Sequence, residues 1–221
     1  MNTIAIIGLG GIGSRIALEL GSQGYNLDLY DFDTYETRNR ERQPLAHRYA
    51  EGTPKADAHQ SYLTEFFPGK FVSYPEGIKP GDRICADLII CAVDTSTGRN
   101  AIRQIAIDSH TPFLTVANET DDGETCLMLP EWIGTPLDPW ITWPTLADPD
   151  PPVKHVSCTD TAHIELNPQT PNTNQLMAAT ASWLANKSLA LNFELQDHDI
   201  ARIIVTRWTI KTVQIHQLND S

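Results

Sequence analysis

The spacing of apolar and polar residues predicts a chain in which buried strands alternate with amphipathic helices. The first apolar run, residues 4–7, stops at a glycine, as a buried parallel strand does before a tight turn. Ile12, Ile16 and Leu20 then lie four residues apart, which places them on one face of a helix. A second strand, residues 27–30, follows the glycines that end this helix. The chain therefore begins as a strand-helix-strand unit.

The same two periods recur along the rest of the chain. Strands are predicted at residues 71–74, 88–93, 113–116 and 125–129, and helices at residues 55–67, 97–107 and 174–192. Residues 201–216 alternate as a pair of strands or as one long bent strand. The pattern predicts one α/β domain over residues 1–221, with a doubly wound, mostly parallel, Rossmann-like sheet that ends in C-terminal antiparallel strands.

One segment has almost no periodicity. Residues 130–171 hold nine of the 15 prolines and three of the five tryptophans. Long irregular segments in compact domains are usually functional or disordered, and tryptophans disfavour disorder. We therefore expect an irregular loop that folds over a site as a lid, or that docks a partner through Trp132, Trp140 and Trp143.

A glycine-rich turn between the first strand and the first helix is the first sign of chemistry. Gly8, Gly10 and Gly13 form G-x-G-x-x-G, with Gly11 inside the same turn. Glycines let the backbone approach a phosphate, which then faces the helix N-terminus. Asp31 ends the second strand, where dinucleotide-binding folds place an acid for ribose hydroxyls. The turn indicates a nucleotide without identifying it.

A polar loop follows Asp31, where an ordinary dinucleotide-binding domain would begin its next helix. Asp33 lies in this loop, and Asn39, Arg42 and Gln43 form N-x-x-R-Q. Amides and guanidinium groups suit a triphosphate better than a nicotinamide. The loop therefore favours a nucleoside triphosphate as the ligand.

With these motifs the chain resembles the ubiquitin-activating-enzyme-like family, that is, the ThiF, MoeB and HesA adenylyltransferases. The resemblance runs over about residues 4–130, and further residues that carry it are Gly52, Pro54, Lys55, Asp94, Arg99 and Gly123. The family implies that ATP and magnesium activate the C-terminal carboxylate of a small ubiquitin-like or sulfur-carrier protein. The product is an acyl adenylate, and pyrophosphate is released. The resemblance also implies a homodimer.

Three charged residues receive roles in this chemistry. Asp94 follows a fully apolar strand, at the edge where open α/β sheets bind ligands, and is the candidate magnesium ligand. Its alternative role is to cap the next helix. Arg42 and Lys55 would neutralise the triphosphate and the charge that develops when a carboxylate attacks the α-phosphorus. Either cation alone would more often be a solvated surface charge.

The other polar residues of the loop have two interpretations each. Asn39 and Gln43 would donate hydrogen bonds to phosphate or to the substrate carboxylate, or they would stabilise their own loop. Asp33 would either contact the ligand or brace its own loop, and the sequence favours neither role over the other.

The four cysteines, Cys85, Cys91, Cys126 and Cys158, have no C-x-x-C spacing, so neither a disulfide scaffold nor a zinc clamp is predicted. Cys85 and Cys91 are expected in the core. Relatives that form a thioester or persulfide with their carrier place a cysteine in about the region of Cys158, which is therefore the candidate nucleophile. The alternative interpretation is that Cys158 is an inert thiol. Cys126 lies near where relatives begin a zinc-binding C-x-x-C, but its partner is missing.

Two features of the family are absent from the sequence. Relatives carry an N-terminal helix with an arginine that reaches into the active site of the partner subunit, whereas this chain leads straight into its first strand. Either Arg15 or Arg38 is then the substitute, or the chemistry is impaired. The zinc motifs are also missing, as they are in short bacterial forms of the family.

Charge and composition narrow the location and the partners. The net charge of −12 and the pI near 4.9 argue against a nucleic-acid partner, because the phosphate backbone is bound by surplus Lys and Arg. No apolar run approaches the roughly 20 residues of a membrane span, and the Met1 end leaves no room for a signal peptide, so we expect a cytoplasmic protein. Two other functions stay open: an NAD-dependent oxidoreductase that uses the same glycine turn and Asp31, and a partner-binding subunit without catalysis.

Overall fold

An eight-stranded mixed sheet forms the centre of the protein. The computed structural model describes residues 1–79, 81–118, 122–143, 146, 171–196, 198–206 and 209–215. The strands are β1 (Thr3–Ile7), β2 (Asn26–Tyr30), β3 (Phe71–Tyr74), β4 (Leu88–Cys91), β5 (Phe113–Asn118), β6 (Asp122–Met128), β7 (Ile200–Thr206) and β8 (Thr209–Gln214). Their order across the sheet is β3-β2-β1-β4-β5-β6-β7-β8.

The sheet has a parallel part and an antiparallel part. Strands β3, β2, β1, β4 and β5 pair in parallel, whereas β5 to β8 pair antiparallel with one another. The predicted α/β sheet, mostly parallel with antiparallel strands near the C-terminus, is therefore confirmed. Strands β7 and β8 show that the C-terminal alternation corresponds to a pair of strands rather than to one bent strand.

Helices cover both faces of the sheet. They are α1 (Gly13–Ser22), α2 (Lys55–Phe66), α3 (Ser96–Asp108), α4 (Pro139–Thr142) and α5 (Pro171–Ala190), and short 3₁₀ helices span Thr37–Glu41 and Pro130–Trp132. Helices α1, α2 and α5 share one apolar core with alternate sheet residues, and α3 and α4 share the other. Within the described residues, no helix is both long enough and apolar enough to cross a membrane.

The alternation of side chains within β1 explains why its sequence is apolar throughout. Ile4 and Ile6 belong to the core under α1, whereas Ala5 and Ile7 belong to the core under α3. A strand that is buried on both faces needs apolar residues at every position. The continuous apolar run that predicted this strand is thus the signature of a central position in the sheet.

The predicted boundaries of β4 and β6 were wrong. Strand β4 ends at Cys91, two residues before the predicted end. Strand β6 begins at Asp122, because Asp122 pairs with Thr206 and Gly123 pairs with Asn118. Asp122 and Gly123, whose residue types favour turns, are therefore part of a ladder, and hydrogen bonding between strands overrides that local preference.

The tryptophans of the aperiodic segment lie largely inside the protein. Trp132 and Trp140 are buried, and the Trp140 Nε1 donates to the Asn100 side chain at 3.0 Å. Trp143 is partly buried, with the Arg202 guanidinium 4.1 Å from its ring centre. The hypothesis that these tryptophans dock a partner is therefore wrong for Trp132 and Trp140, which complete the cores of their own chain. Residues 147–170 lie outside the described part of the chain.

Candidate functional site

The glycine turn, residues 8–13, joins β1 to α1 and owes its shape to two of its glycines. Gly8 has a φ of +89°, and a Cβ atom there would lie 2.9 Å from the Ala92 carbonyl oxygen. A Cβ atom at Gly13 would lie only 1.8 Å from the Gly8 carbonyl oxygen. A Cβ atom at Gly10, in contrast, would meet no atom within 4 Å. Gly8 and Gly13 are thus required by the fold, and Gly10 borders open space.

Asp31 connects this turn to the loop after β2. Its Oδ2 accepts a hydrogen bond from the Leu9 backbone N–H at 2.6 Å, and its Oδ1 accepts one from the Asp33 N–H at 2.8 Å. Burial raises the pKa of the Asp31 carboxyl, while the Lys55 charge and the two backbone N–H groups oppose that rise. The residue predicted to bind ribose is therefore also the brace of the glycine turn.

Lys55 extends this series of contacts to α2, of which it is the first residue. Its Nζ lies 2.8 Å from the Asp33 Oδ2, and its backbone N–H donates to the Asp33 carbonyl at 3.0 Å. The Lys55 side chain is only 4% exposed, whereas that of Asp33 is 40% exposed. These contacts support the interpretation in which Asp33 braces its loop. They also hold a buried ammonium group close to the glycine turn.

His59 lies one helical turn after Lys55 and is fully buried. Its Nδ1 lies 2.7 Å from the Lys55 carbonyl oxygen, so the proton of the neutral ring is on Nδ1. Burial lowers the pKa of His59 from 6.5 to about 4. The ring is therefore neutral at physiological pH and supports the first turn of α2, which carries Lys55.

We expect His59 to make the protein less stable in mild acid. Because its pKa is lower in the folded protein than in the unfolded chain, protonation favours unfolding as pH falls from 6.5 to about 4. The loss over this window is about 3 kcal/mol. Urea unfolding of wild type and His59→Gln at several pH values should show the loss in wild type and a flatter profile in the variant.

The exposed His47 provides the control for this experiment. His47→Gln should keep the pH profile of wild type. Parallel profiles for wild type and His59→Gln between pH 6.5 and 4 would contradict the assignment.

The Arg42 loop, residues 37–43, places the N-x-x-R-Q motif beside the glycine turn. Asn39 is buried, and its Oδ1 accepts a hydrogen bond from the Glu36 N–H at 2.9 Å, so at least its oxygen stabilises the loop. The backbone N–H groups of Arg42 and Gln43 both donate to the Asn39 carbonyl. Both side chains are buried, and the Gln43 Oε1 has no hydrogen-bond partner within the described residues. Gln43 thus retains an acceptor inside the site.

Arg15 links the Arg42 loop to the glycine turn. One nitrogen, Nη1, donates to the carbonyl oxygens of Gly11 at 2.5 Å and Arg42 at 2.7 Å. The Nε donates to the Gln175 side chain at 3.2 Å. Arg38 forms an ion pair with Glu36 in its own loop. Arg15 and Arg38, the two candidate substitutes for the family arginine, therefore both contact groups of their own chain.

Asp94 lies on the same edge of the sheet. Strand β4 pairs with β1 so that Cys91 is opposite Ile7, and the glycine turn and Asp94 come shortly after these two residues. The Asp94 side chain is exposed. The Thr95 Oγ1 caps α3 by accepting from the Gly98 N–H at 3.1 Å, so the alternative role of Asp94 as the cap is wrong. No three His, Cys, Asp or Glu residues cluster as a metal site within the described ranges.

The structure places three of the four cysteines. Burial raises the pKa of the Cys91 thiol to about 12 and also raises that of Cys126, which makes both thiols unreactive. Cys85 is exposed, so its predicted core position was wrong, because it lies in the loop before β4 rather than in the strand. Cys158, the candidate nucleophile, lies outside the described residues.

Asn174 is a polar contact that the sequence pattern did not reveal. It lies in the first turn of α5 and is fully buried against the glycine turn, where a Cβ atom at Gly11 would be 2.2 Å from its Nδ2. Its Oδ1 accepts from the Asn118 Nδ2 at 2.9 Å, at the end of β5. The sequence marked Asn174 only as a helix start, since a contact with a distant turn leaves no local signal.

Comparison with known proteins identifies the family. The profile of the ThiF family matches residues 2–202, nearly the whole chain. The chain belongs to the ThiF family. This finding confirms the resemblance that the glycine turn and the N-x-x-R-Q motif indicated.

Individual ThiF relatives are distant. The sulfur carrier protein ThiS adenylyltransferase of Escherichia coli (strain K12) is 27% identical over 135 residues, which cover 58% of this chain and 54% of the relative. The chain thus spans about half the length of that curated relative.

Solved structures share the fold. A crystal structure of E. coli MccB with ATP superposes with a TM-score of 0.70 at 18% identity, over 97% of this chain and 63% of MccB. A crystal structure of PaaA gives a TM-score of 0.67 at 19% identity, over 97% of this chain and 64% of PaaA.

Proposed function

We propose that this chain is an ATP-dependent adenylyltransferase that activates the C-terminal carboxylate of a small ubiquitin-like or sulfur-carrier protein. The observation that carries the proposal is the pair of buried cations, Arg42 and Lys55, beside a glycine turn with open space over Gly10. The distant E. coli relative named for ThiS adenylylation and the E. coli MccB structure with ATP support it.

The triphosphate would lie over the glycine turn, at the N-terminus of α1. Backbone N–H groups at a helix N-terminus attract phosphate, and the space at Gly10 leaves room for it. The proposed binding residues are Gly8, Gly10, Gly11, Gly13, Asp31, Asp33, Asn39, Arg42, Gln43 and Lys55.

The two cations would act on the reaction itself. The substrate carboxylate attacks the α-phosphorus, and the bond to the bridging oxygen breaks, so that pyrophosphate leaves with the electron pair and an acyl adenylate remains. Negative charge grows on the transferred group during this step, and fixed cations in a site shielded from water stabilise it. An ammonium has three donors, so Lys55 would keep Asp33 and still contact a phosphate oxygen.

Asp94 is the residue that we propose for magnesium. Magnesium prefers one or two carboxylates together with phosphate oxygens and water, and Asp94 presents one exposed carboxylate near the glycine turn. Bound there, the ion would neutralise phosphate charge and orient the leaving group.

Transfer beyond the adenylate is a further part of the proposal. A Cys158 thiolate would attack the acyl carbon, form a thioester and release AMP. The resemblance to the family also favours a homodimer in the cytoplasm. Light scattering would measure the mass of the assembly and so test the dimer.

Exchange of labelled pyrophosphate into ATP tests the proposal. With a carrier protein that ends in glycine, we expect exchange that depends on the carrier and on magnesium. Asp94→Ala and Arg42→Ala should each lower the exchange rate by about a hundredfold or more. Calorimetric titration should show binding of ATP.

NAD serves as the comparison ligand in the titration. Tight binding of NAD without binding of ATP would favour an oxidoreductase instead. Failure of ATP to bind, together with no exchange for any carrier, would refute the proposal. Full biological activity of Asp94→Ala, together with no exchange, would favour a partner-binding subunit without catalysis.

A further inference from the structure

We propose that Arg15 is a positioning residue that fixes the Arg42 loop against the glycine turn. This inference deepens the proposed function, since it concerns how Arg42 is held beside the expected triphosphate. The coupling between the Arg42 loop and the glycine turn can be measured without any ligand.

The contacts of Arg15 reach three separate segments. Its Nη1 donates to the Gly11 carbonyl in the glycine turn and to the Arg42 carbonyl in the Arg42 loop, at 2.5 and 2.7 Å. Its Nε donates to the Gln175 side chain, near the start of α5, at 3.2 Å. Hydrogen bonds from a charged donor are about twice as strong as neutral ones. The two bonds from Nη1 are partly buried, whereas the bond to Gln175 is exposed to solvent. One guanidinium therefore joins the two halves of the candidate site.

The position of Arg15 is otherwise unfavourable, which points to a specific role. It lies in the first turn of α1, where the helix macrodipole repels a cation. Turning the guanidinium away from the helix axis onto two carbonyl oxygens offsets this repulsion. The Arg42 carbonyl closes the C-terminal end of the 3₁₀ helix Thr37–Glu41, where a cation is favourable.

Arginine suits this position better than lysine. Its planar fork donates in several fixed directions at once, whereas an ammonium is a compact charge on a flexible stem. Holding the Arg42 carbonyl fixes the backbone from which the Arg42 side chain begins, and that side chain is buried. Arg15 would thus determine where the Arg42 charge stands relative to the glycine turn without itself contacting the nucleotide.

Hydrogen–deuterium exchange of the protein without nucleotide is the first test. In Arg15→Ala, the amides of residues 37–43 should exchange about tenfold faster than in wild type, because the loop loses its link to the glycine turn. Arg15→Lys should give an intermediate rate, and this milder variant serves if Arg15→Ala fails to fold. Unchanged exchange over residues 37–43 in both variants would overturn the inference.

Arg103→Ala is the matched control for the hydrogen–deuterium exchange experiment. Arg103 is another partly buried arginine, which contacts Asp138 and Trp140 on the opposite face of the sheet. Its loss should leave exchange over residues 37–43 as in wild type. If Arg103→Ala accelerated this segment as much as Arg15→Ala does, the effect would be a general loss of stability, and the inference would fail.

Double-mutant calorimetry with ATP separates positioning from direct binding. Arg15→Ala should weaken ATP binding about tenfold in wild type but less than twofold in an Arg42→Ala background, because Arg15 acts through Arg42. Full additivity would mean that Arg15 contacts phosphate itself and would overturn the positioning role. If wild type bound no ATP, the proposed function would fail. The hydrogen–deuterium exchange experiment would still decide the inference about Arg15.

Discussion

Lys55→Met should reduce pyrophosphate exchange by about a thousandfold. The substitution keeps the length of the side chain but removes the buried ammonium that lies 2.8 Å from the Asp33 carboxylate. The developing charge on the transferred phosphorus would then lose a fixed cation. Exchange of labelled pyrophosphate at saturating ATP and carrier measures the effect.

The stability of Lys55→Met should also depend on pH in a specific direction. Lys55 lowers the pKa of Asp31, which burial raises, so its removal lets that pKa rise further. A carboxyl whose pKa is raised by folding contributes stability at low pH, and this contribution is lost as pH rises through the folded pKa. The variant should therefore lose more stability relative to wild type at pH 8 than at pH 5.

An exposed lysine supplies the control. Lys211 on β8 is exposed and far along the sheet from the glycine turn, so Lys211→Met should exchange pyrophosphate as wild type does. If Lys55→Met kept a tenth or more of wild-type exchange, Lys55 would not be a principal cation of the site.

The sheet could be predicted because its strands are buried on both faces. Residues such as Ile4 and Ala5 point to opposite cores, which makes the whole strand apolar and easy to recognise. The ends of the helices and strands were harder to predict. At the start of α3, for example, Asp94 and Thr95 are both good helix caps and lie side by side. Only the hydrogen bond from the Gly98 N–H shows that Thr95 is the cap.

The support of the candidate site could not be predicted from the sequence. Motif spacing identified Lys55 and Arg42. The contacts to their backbone carbonyls come from His59 and Arg15, whose neighbours within the sequence carry no sign of that role. Trp132 and Trp140 were misplaced for a related reason. An aromatic residue is equally suited to an interface and to a core, and only packing against the chain's own strands decides between them.

The glycine turn allows a separation of folding from binding. Gly13→Ala should destabilise the protein by at least about 3 kcal/mol or prevent folding, because its Cβ atom would lie 1.8 Å from the Gly8 carbonyl oxygen, a backbone atom that cannot turn aside. Gly10→Ala should change the free energy of unfolding by less than about 1 kcal/mol, because no atom lies within 4 Å of the added methyl group. Urea unfolding of both variants measures the difference.

Gly10→Ala should nevertheless weaken ATP binding by about tenfold or more. Its methyl group would occupy the open space in which we place the phosphates, at the N-terminus of α1, and a loss of about 1.4 kcal/mol corresponds to a tenfold weaker affinity. Calorimetry with ATP on the folded variant measures this loss. Wild-type affinity in Gly10→Ala would show that the triphosphate lies elsewhere. Equal stability of Gly10→Ala and Gly13→Ala would show that the turn does not have the close contact between Gly8 and Gly13 on which this argument rests.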